Sequence, residues 1–129
     1  MSHSHAIVWM DSKEAHVFRF NASDVEAERV KAHLPFRKLH HKAGAIGSGH
    51  EHLDHAYFDG IAHALDGVQE WLLTGPSGAK EQMAAYVGQR LPQLKKQLFG
   101  VETLDHPTDG QLVDHARRFF KAANRMHAL

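Results

Sequence analysis

The stretch His5-Ala-Ile-Val-Trp-Met-Asp-Ser-Lys-Glu-Ala-His-Val-Phe-Arg-Phe20 decides the fold. Over residues 5–11 the side chains alternate between two apolar faces, Ile7 and Trp9 on one, Val8 and Met10 on the other. A strand that is apolar on both faces belongs in the middle of a sheet, covered on each side. The polar turn Asp11-Ser12-Lys13-Glu14 allows only a short antiparallel return. Residues 15–20 then form a second strand, with Phe18 and Phe20 on one face.

The rest follows outward from this hairpin. After a turn at 21–24, residues 25–34 alternate, with Glu28, Val30, Ala32 and Leu34 on one face and Arg29, Lys31 and His33 on the other. That pattern is a half-exposed edge strand, ended by Pro35. Residues 35–53 form a loop rich in glycine, histidine and positive charge. Residues 54–66 carry Phe58, Ile61, Ala62 and Leu65 at helical spacing, with Gly67 as the stop. Residues 68–74, with Trp71-Leu72-Leu73, form a buried strand, and Ser77 is the candidate cap of the next helix. That helix is lined by Met83, Ala84, Val87 and Leu91. Pro92 interrupts it, and a short amphipathic turn through Leu94 leads to a last strand at 98–104. Thr108 with Gln111 predicts a capping box for the final helix, whose stripe is Leu112, Val113, Ala116, Phe119, Phe120 and Ala123.

The predicted order is β-β-β-α-β-α-β-α. Three strands meander and two are reached through helical, right-handed crossovers. This gives an α/β fold of the ribonuclease H-like type, a five-stranded mixed sheet in order 3-2-1-4-5 with helices on both faces. The 129 residues make a single domain, 1–129, with no internal repeat or dividing linker.

Apolar content of 43% and charged content of 23% are those of a globular protein. Net charge is zero with histidine neutral, so bulk charge does not select nucleic acid or membrane as a partner. The 13 histidines would make the chain cationic as pH falls toward about 6. The absence of cysteine excludes disulfides and thiolate metal sites and fits a cytoplasmic protein. No apolar run approaches the ~20 residues of a bilayer span, and no signal peptide is expected.

The candidate site is the stretch Lys38-Leu-His-His-Lys-Ala-Gly-Ala-Ile-Gly-Ser-Gly-His-Glu-His-Leu-Asp-His55. Between Arg29 and Gly49 there is no Asp or Glu, while Arg29, Lys31, Arg37, Lys38 and Lys42 are interleaved with His33, His40 and His41. Cations suit RNA phosphates, and Gly44, Gly47 and Gly49 permit close backbone approach. The bland alternative is a solvated basic loop. Toward its end, His50, His52 and His55, with Glu51 and Asp54, offer ligands to a divalent transition metal, although the spacing matches no zinc signature.

Three other places carry weaker signals. Asp11 and Asp105 end strands, where a nuclease would gather carboxylates around metal ions, but the fourth strand ends in Thr74-Gly75 and a turn role suits Asp11 better. Gly75-Pro-Ser-Gly-Ala-Lys80 lacks the spacing of a phosphate loop, though a helix start with Lys80 would suit an anion. His106 stands in an acid–base position without a nucleophile, and its segment serves mainly to start a helix.

With the element order in place, the stretches Ala6-Ile-Val-Trp-Met-Asp-Ser-Lys-Glu-Ala-His-Val-Phe and Trp71-Leu-Leu-Thr-Gly-Pro-Ser-Gly-Ala-Lys-Glu-Gln-Met flank a basic glycine-containing loop and a helix. This arrangement resembles the middle domain of the archaeal and eukaryotic class-1 peptide-chain release factors and of Pelota. More closely, it resembles their small bacterial relatives, the translational machinery proteins. In release factors the corresponding loop carries Gly-Gly-Gln, which promotes hydrolysis of peptidyl-tRNA. Here the region reads Gly47-Ser48-Gly49-His50, and Gly-Gly-Gln is absent from the chain.

The resemblance implies a ribosome- or RNA-associated protein of translation; the missing Gly-Gly-Gln makes it non-catalytic by expectation, and no cofactor is expected to be required. Its contacts would be Arg37, Lys38, His40, His41, Lys42 and the three loop glycines, with Arg117 and Arg118 of the final helix as a second contact. The alternatives are a hydrolase acting on peptidyl-tRNA or RNA, with His50 or a metal positioning water, and a histidine-rich metal-binding or homo-oligomeric interaction module.

Overall fold

The sheet is built around β1 (His5–Met10), all six residues of which are buried. A computed structural model describes residues 4–32 and 55–123. β1 pairs antiparallel with β2 (Glu14–Phe20), and β2 pairs antiparallel with β3 (Val25–Lys31). On its other side β1 pairs parallel with β4 (Glu70–Gly75), which pairs parallel with β5 (Leu98–Thr103). The order is β3-β2-β1-β4-β5, as the hairpin and crossover logic requires.

Alternation along β1 divides the core into two layers. Ala6, Val8 and Met10 face α1 (His55–Ala64) and α2 (Ala79–Arg90), meeting Tyr57, Phe58, Ile61, Met83 and Val87. Ile7 and Trp9, with Phe18 and Phe20 of β2, face α4 (Asp109–Ala122), meeting Leu112, Ala116 and Phe120. Helices therefore cover both faces. No helix among the described residues is long and apolar enough to cross a membrane.

Several local expectations are met. Thr108 Oγ1 accepts from Gln111 N at 3.1 Å and Gln111 Oε1 accepts from Thr108 N at 2.9 Å, the reciprocal capping box. Gly67 has φ +86°, in the turn that follows the end of α1 at Ala64. Gly75 is fixed by proximity: a Cβ there would lie 2.1 Å from the Met10 carbonyl oxygen.

Two expectations are corrected. The segment after Pro92 is a helix, α3 (Pro92–Gln97), so the observed order is β-β-β-α-β-α-α-β-α. Proline is well suited to the first helical position, because its missing N–H would have no partner there. Ser77 does not cap α2. Gly78 takes that position, with no side-chain cap bond.

Candidate nucleic-acid interface

Arg37, Lys38, His40, His41, Lys42, Gly44, Gly47, Gly49, His50 and His52 lie outside the described residues. The structure does describe where that segment leaves and re-enters the fold. It leaves after β3, whose Lys31 is level with Glu14 at the end of the sheet where β1 finishes. It re-enters at His55, the first residue of α1.

The turn between β1 and β2 fastens both stems. Asp11 Oδ1 accepts from the backbone N–H groups of Lys13 (2.8 Å) and Glu14 (3.0 Å), which folds the turn. The Lys13 carbonyl accepts from Ala32 N at 2.9 Å, holding the outgoing stem. The Asp11 carbonyl accepts from the Tyr57 hydroxyl at 2.8 Å, holding the incoming one. Burial first, then the nearby carboxylates of Asp11 and Glu14, push the Tyr57 phenol well above its usual range. It therefore remains a proton donor throughout the physiological range. Sequence reasoning missed Tyr57, although it precedes Ile61 by one helical turn and so belongs to the same buried face.

Tyr57→Phe is expected to cost about 1 kcal/mol, because the Asp11 carbonyl loses its side-chain donor. Amide hydrogen exchange should quicken at residues 12–14 and at Ala32. Unchanged exchange there would show that the clasp does not hold the stems.

Around this base stand Lys13, Arg29 and Lys31, all exposed. None makes an ion pair with another described residue. Arg29, level with His16, borders a shallow hollow of about 250 Å³ with Phe18 and Asp109. His16 lies between carboxylates, Nε2 3.2 Å from Glu14 and Nδ1 3.8 Å from Asp109. On the incoming side the exposed His55 ring sits 4.8 Å from Tyr86. The Tyr86 hydroxyl donates to Asp59, and that bond is the main cause of its raised pKa.

Arg117 and Arg118 are not brought to this base. Arg117 reaches the β2–β3 turn, at the opposite end of the meander. Its Nε and Nη2 donate to the Asn21 carbonyl at 3.3 and 3.1 Å, and Nη2 donates to that of Asp24 at 3.2 Å. Its guanidinium also stands 5.7 Å from the Phe20 ring centre. Arg117 thus ties α4 to the sheet, a role that charge pattern did not reveal. Arg118 is exposed and paired with Asp114 at 2.5 Å, one turn away.

The weaker candidates also have partners. Asp11 folds its turn. Asp105, exposed, is 3.1 Å from His106 Nδ1. The Trp9 indole lies between His16 and His106, with ring centres 5.6 and 5.1 Å away, and its Nε1 donates to the Asp105 carbonyl at 2.9 Å. Lys80 is buried, and its Nζ donates to the Ser77 carbonyl at 2.9 Å, beneath the start of its own helix. Among the described residues no group of three or more histidines and carboxylates could hold a metal ion. His50 and His52 of the suggested ligand set lie outside those residues.

No protein-family model matches this chain, and no curated protein matches it. Solved structures do. The fold matches Archaeoglobus fulgidus Pelota with a TM-score of 0.61 at 12% identity, over 92% of this chain and 32% of that one. It matches Thermoplasma acidophilum Pelota with a TM-score of 0.56 at 21% identity, over 94% of this chain and 32% of that one. It matches the archaeal translation termination factor aRF1 with a TM-score of 0.57 at 14% identity, over 96% of this chain and 39% of that one. The chain thus spans about a third of the length of these proteins, and over nearly all of its own length it has the fold of a Pelota and release-factor domain.

Proposed function

We propose that this chain is a ribosome- or RNA-associated protein of translation, acting in the cytoplasm, without catalysis of its own. Its contact surface is the basic segment 35–53 together with three exposed cations at its base, Lys13, Arg29 and Lys31. The observation that carries this reading is the acid-free run from Arg29 to Gly49, whose two stems are fastened at a single turn. Fixed stems lower the ordering cost of a contact made between them. Arg37, Lys38 and Lys42 meet phosphates, His40 and His41 add contacts, and Gly44, Gly47 and Gly49 let backbone approach backbone. The shared fold supports the translational setting. One matched structure is a translation termination factor, and S. cerevisiae Dom34, matched with a TM-score of 0.55 at 12% identity, is a translation termination-like factor involved in RNA quality control.

Co-sedimentation with ribosomes at low and high salt tests the reading, with association expected at low salt and lost at high salt. In filter binding to RNA, Lys38→Ala with Lys42→Ala should weaken affinity about tenfold and flatten its salt dependence. Affinity and salt dependence unchanged by both substitutions would refute the contact. Peptide release from peptidyl-tRNA by the purified chain would replace this reading with a hydrolase.

A further inference from the structure

A second stretch of the chain also lacks carboxylates. From Gln82 to Val101 there is no Asp or Glu, while Arg90, Lys95 and Lys96 stand among Gln82, Gln89, Gln93 and Gln97. It forms most of α2, all of α3 and the start of β5. Trp71 Nε1 donates to the Leu94 carbonyl at 3.0 Å, which seats α3 beside the start of β4. That is the end of the sheet opposite the β1–β2 turn, although Arg90 reaches back to Tyr86, whose ring is 4.8 Å from that of His55.

Three observations converge at this end. Arg90, Lys95 and Lys96 are exposed, and none has an ion-pair partner among the described residues. Arg90 lies 5.6 Å from the Tyr86 ring centre, so its guanidinium meets an aromatic face rather than a carboxylate. A groove of about 510 Å³ runs between α1 and α3, lined by Arg90 but not by Lys95 or Lys96, and by Leu65, Val68 and Leu94 with Gln69, Gln93 and Gln97. Asp66 is the one carboxylate on the lining.

We propose that the α2–α3 end is a second contact surface, for single-stranded RNA, in which Arg90, Lys95 and Lys96 meet phosphates and the glutamine-lined groove takes an unstacked base. Exposed cations with no carboxylate partner among the described residues select a polyanion. An apolar groove beside Arg90 suits a base free of a duplex. The amides supply both donors and acceptors to a base edge. The partner class is that of the proposed function, but the residues named for this surface all lie outside 35–53. The rival explanation is that these cations complement helix C-termini, since Arg90 is in the last turn of α2 and Lys95 and Lys96 are in that of α3.

The test is fluorescence anisotropy of the full chain with a labelled oligouridylate at several salt concentrations. It compares Lys95→Gln with Lys96→Gln against Lys38→Ala with Lys42→Ala. Losing two phosphate contacts should weaken binding about tenfold or more and reduce the salt slope by roughly 1.4, because a single strand contributes about 0.7 per contact. Thermal unfolding of the Lys95/Lys96 variant should be unchanged. Gln97→Ala should weaken binding to the oligouridylate more than to an abasic strand of equal length. Unchanged affinity and slope in the Lys95/Lys96 variant, with or without a loss of stability, overturns the proposal and leaves the helix-end explanation. Equal binding of oligoglutamate at these lysines overturns it in favour of an acidic protein. If the Lys38/Lys42 variant alone is unaffected, the basic segment's role fails while this one stands.

Discussion

Gly75→Ala is expected to destabilise the fold by about 3 kcal/mol or more, read as a lower urea midpoint with an unchanged slope. The cause is backbone against backbone. A Cβ on Gly75 would lie 2.1 Å from the Met10 carbonyl oxygen and 3.3 Å from its carbon. Neither atom can move as a side-chain end can, because Met10 closes the central strand and the Gly75 carbonyl itself accepts from Leu104 N at 3.0 Å. Relief would require β1 and β4 to part at the end nearest the candidate interface. Gly110→Ala is the control. It lies in the first turn of α4, where an added methyl would meet nothing within 4 Å, so it should be neutral or slightly stabilising. Equal losses from the two substitutions would mean that the close approach at Gly75 does not limit the fold.

Trp71→Ala should cost about 4 kcal/mol. Trp71 is fully buried, at the start of β4 and within the layer shared by α1, α2 and β1. Truncation opens a cavity and also deprives the Leu94 carbonyl of its indole donor. Trp71→Phe separates the two effects. It keeps most of the ring and loses the N–H, so about 1–2 kcal/mol is expected. Increased amide exchange should then be concentrated in α3. Exchange unchanged in α3 would show that the Leu94 bond does not seat that helix.

The larger part of this architecture was legible because it rests on local pattern. Two apolar faces placed β1 in the centre, a four-residue polar turn required an antiparallel neighbour, and helical crossovers required parallel ones. Thr108 and Gln111 marked the start of α4 because a capping box is closed within four residues. What stayed hidden depends on distant partners or on very short segments. Arg117 looks like a solvent-facing cation in its helix, and only folding brings it to carbonyls at residues 21 and 24. α3 has six residues with only Leu94 between its polar positions, too few for periodicity to show a helix. Ser77 has the residue type of a cap, but capping depends on backbone geometry, and Gly78 holds that place. At the candidate interface the charge pattern named the basic segment, whereas the clasp at its base joins Asp11 to Tyr57 across 46 positions.

The alternation along β3 bears on self-association. This strand ends the sheet, with no further strand beyond it among the described residues. An unpaired edge invites a second copy to add its own edge. Suppose two β3 strands joined antiparallel about a two-fold axis through Glu28: Glu28 would face Glu28. Sliding by one two-residue step sets Glu26 against Glu28 in one direction and Arg29 against Arg29 in the other. Every such register places like charges directly opposite, which destabilises a strand pair. The sequence Val-Glu-Ala-Glu-Arg-Val-Lys thus guards the edge against continuing the sheet from one molecule into the next, and keeps the protein from templating its own aggregation.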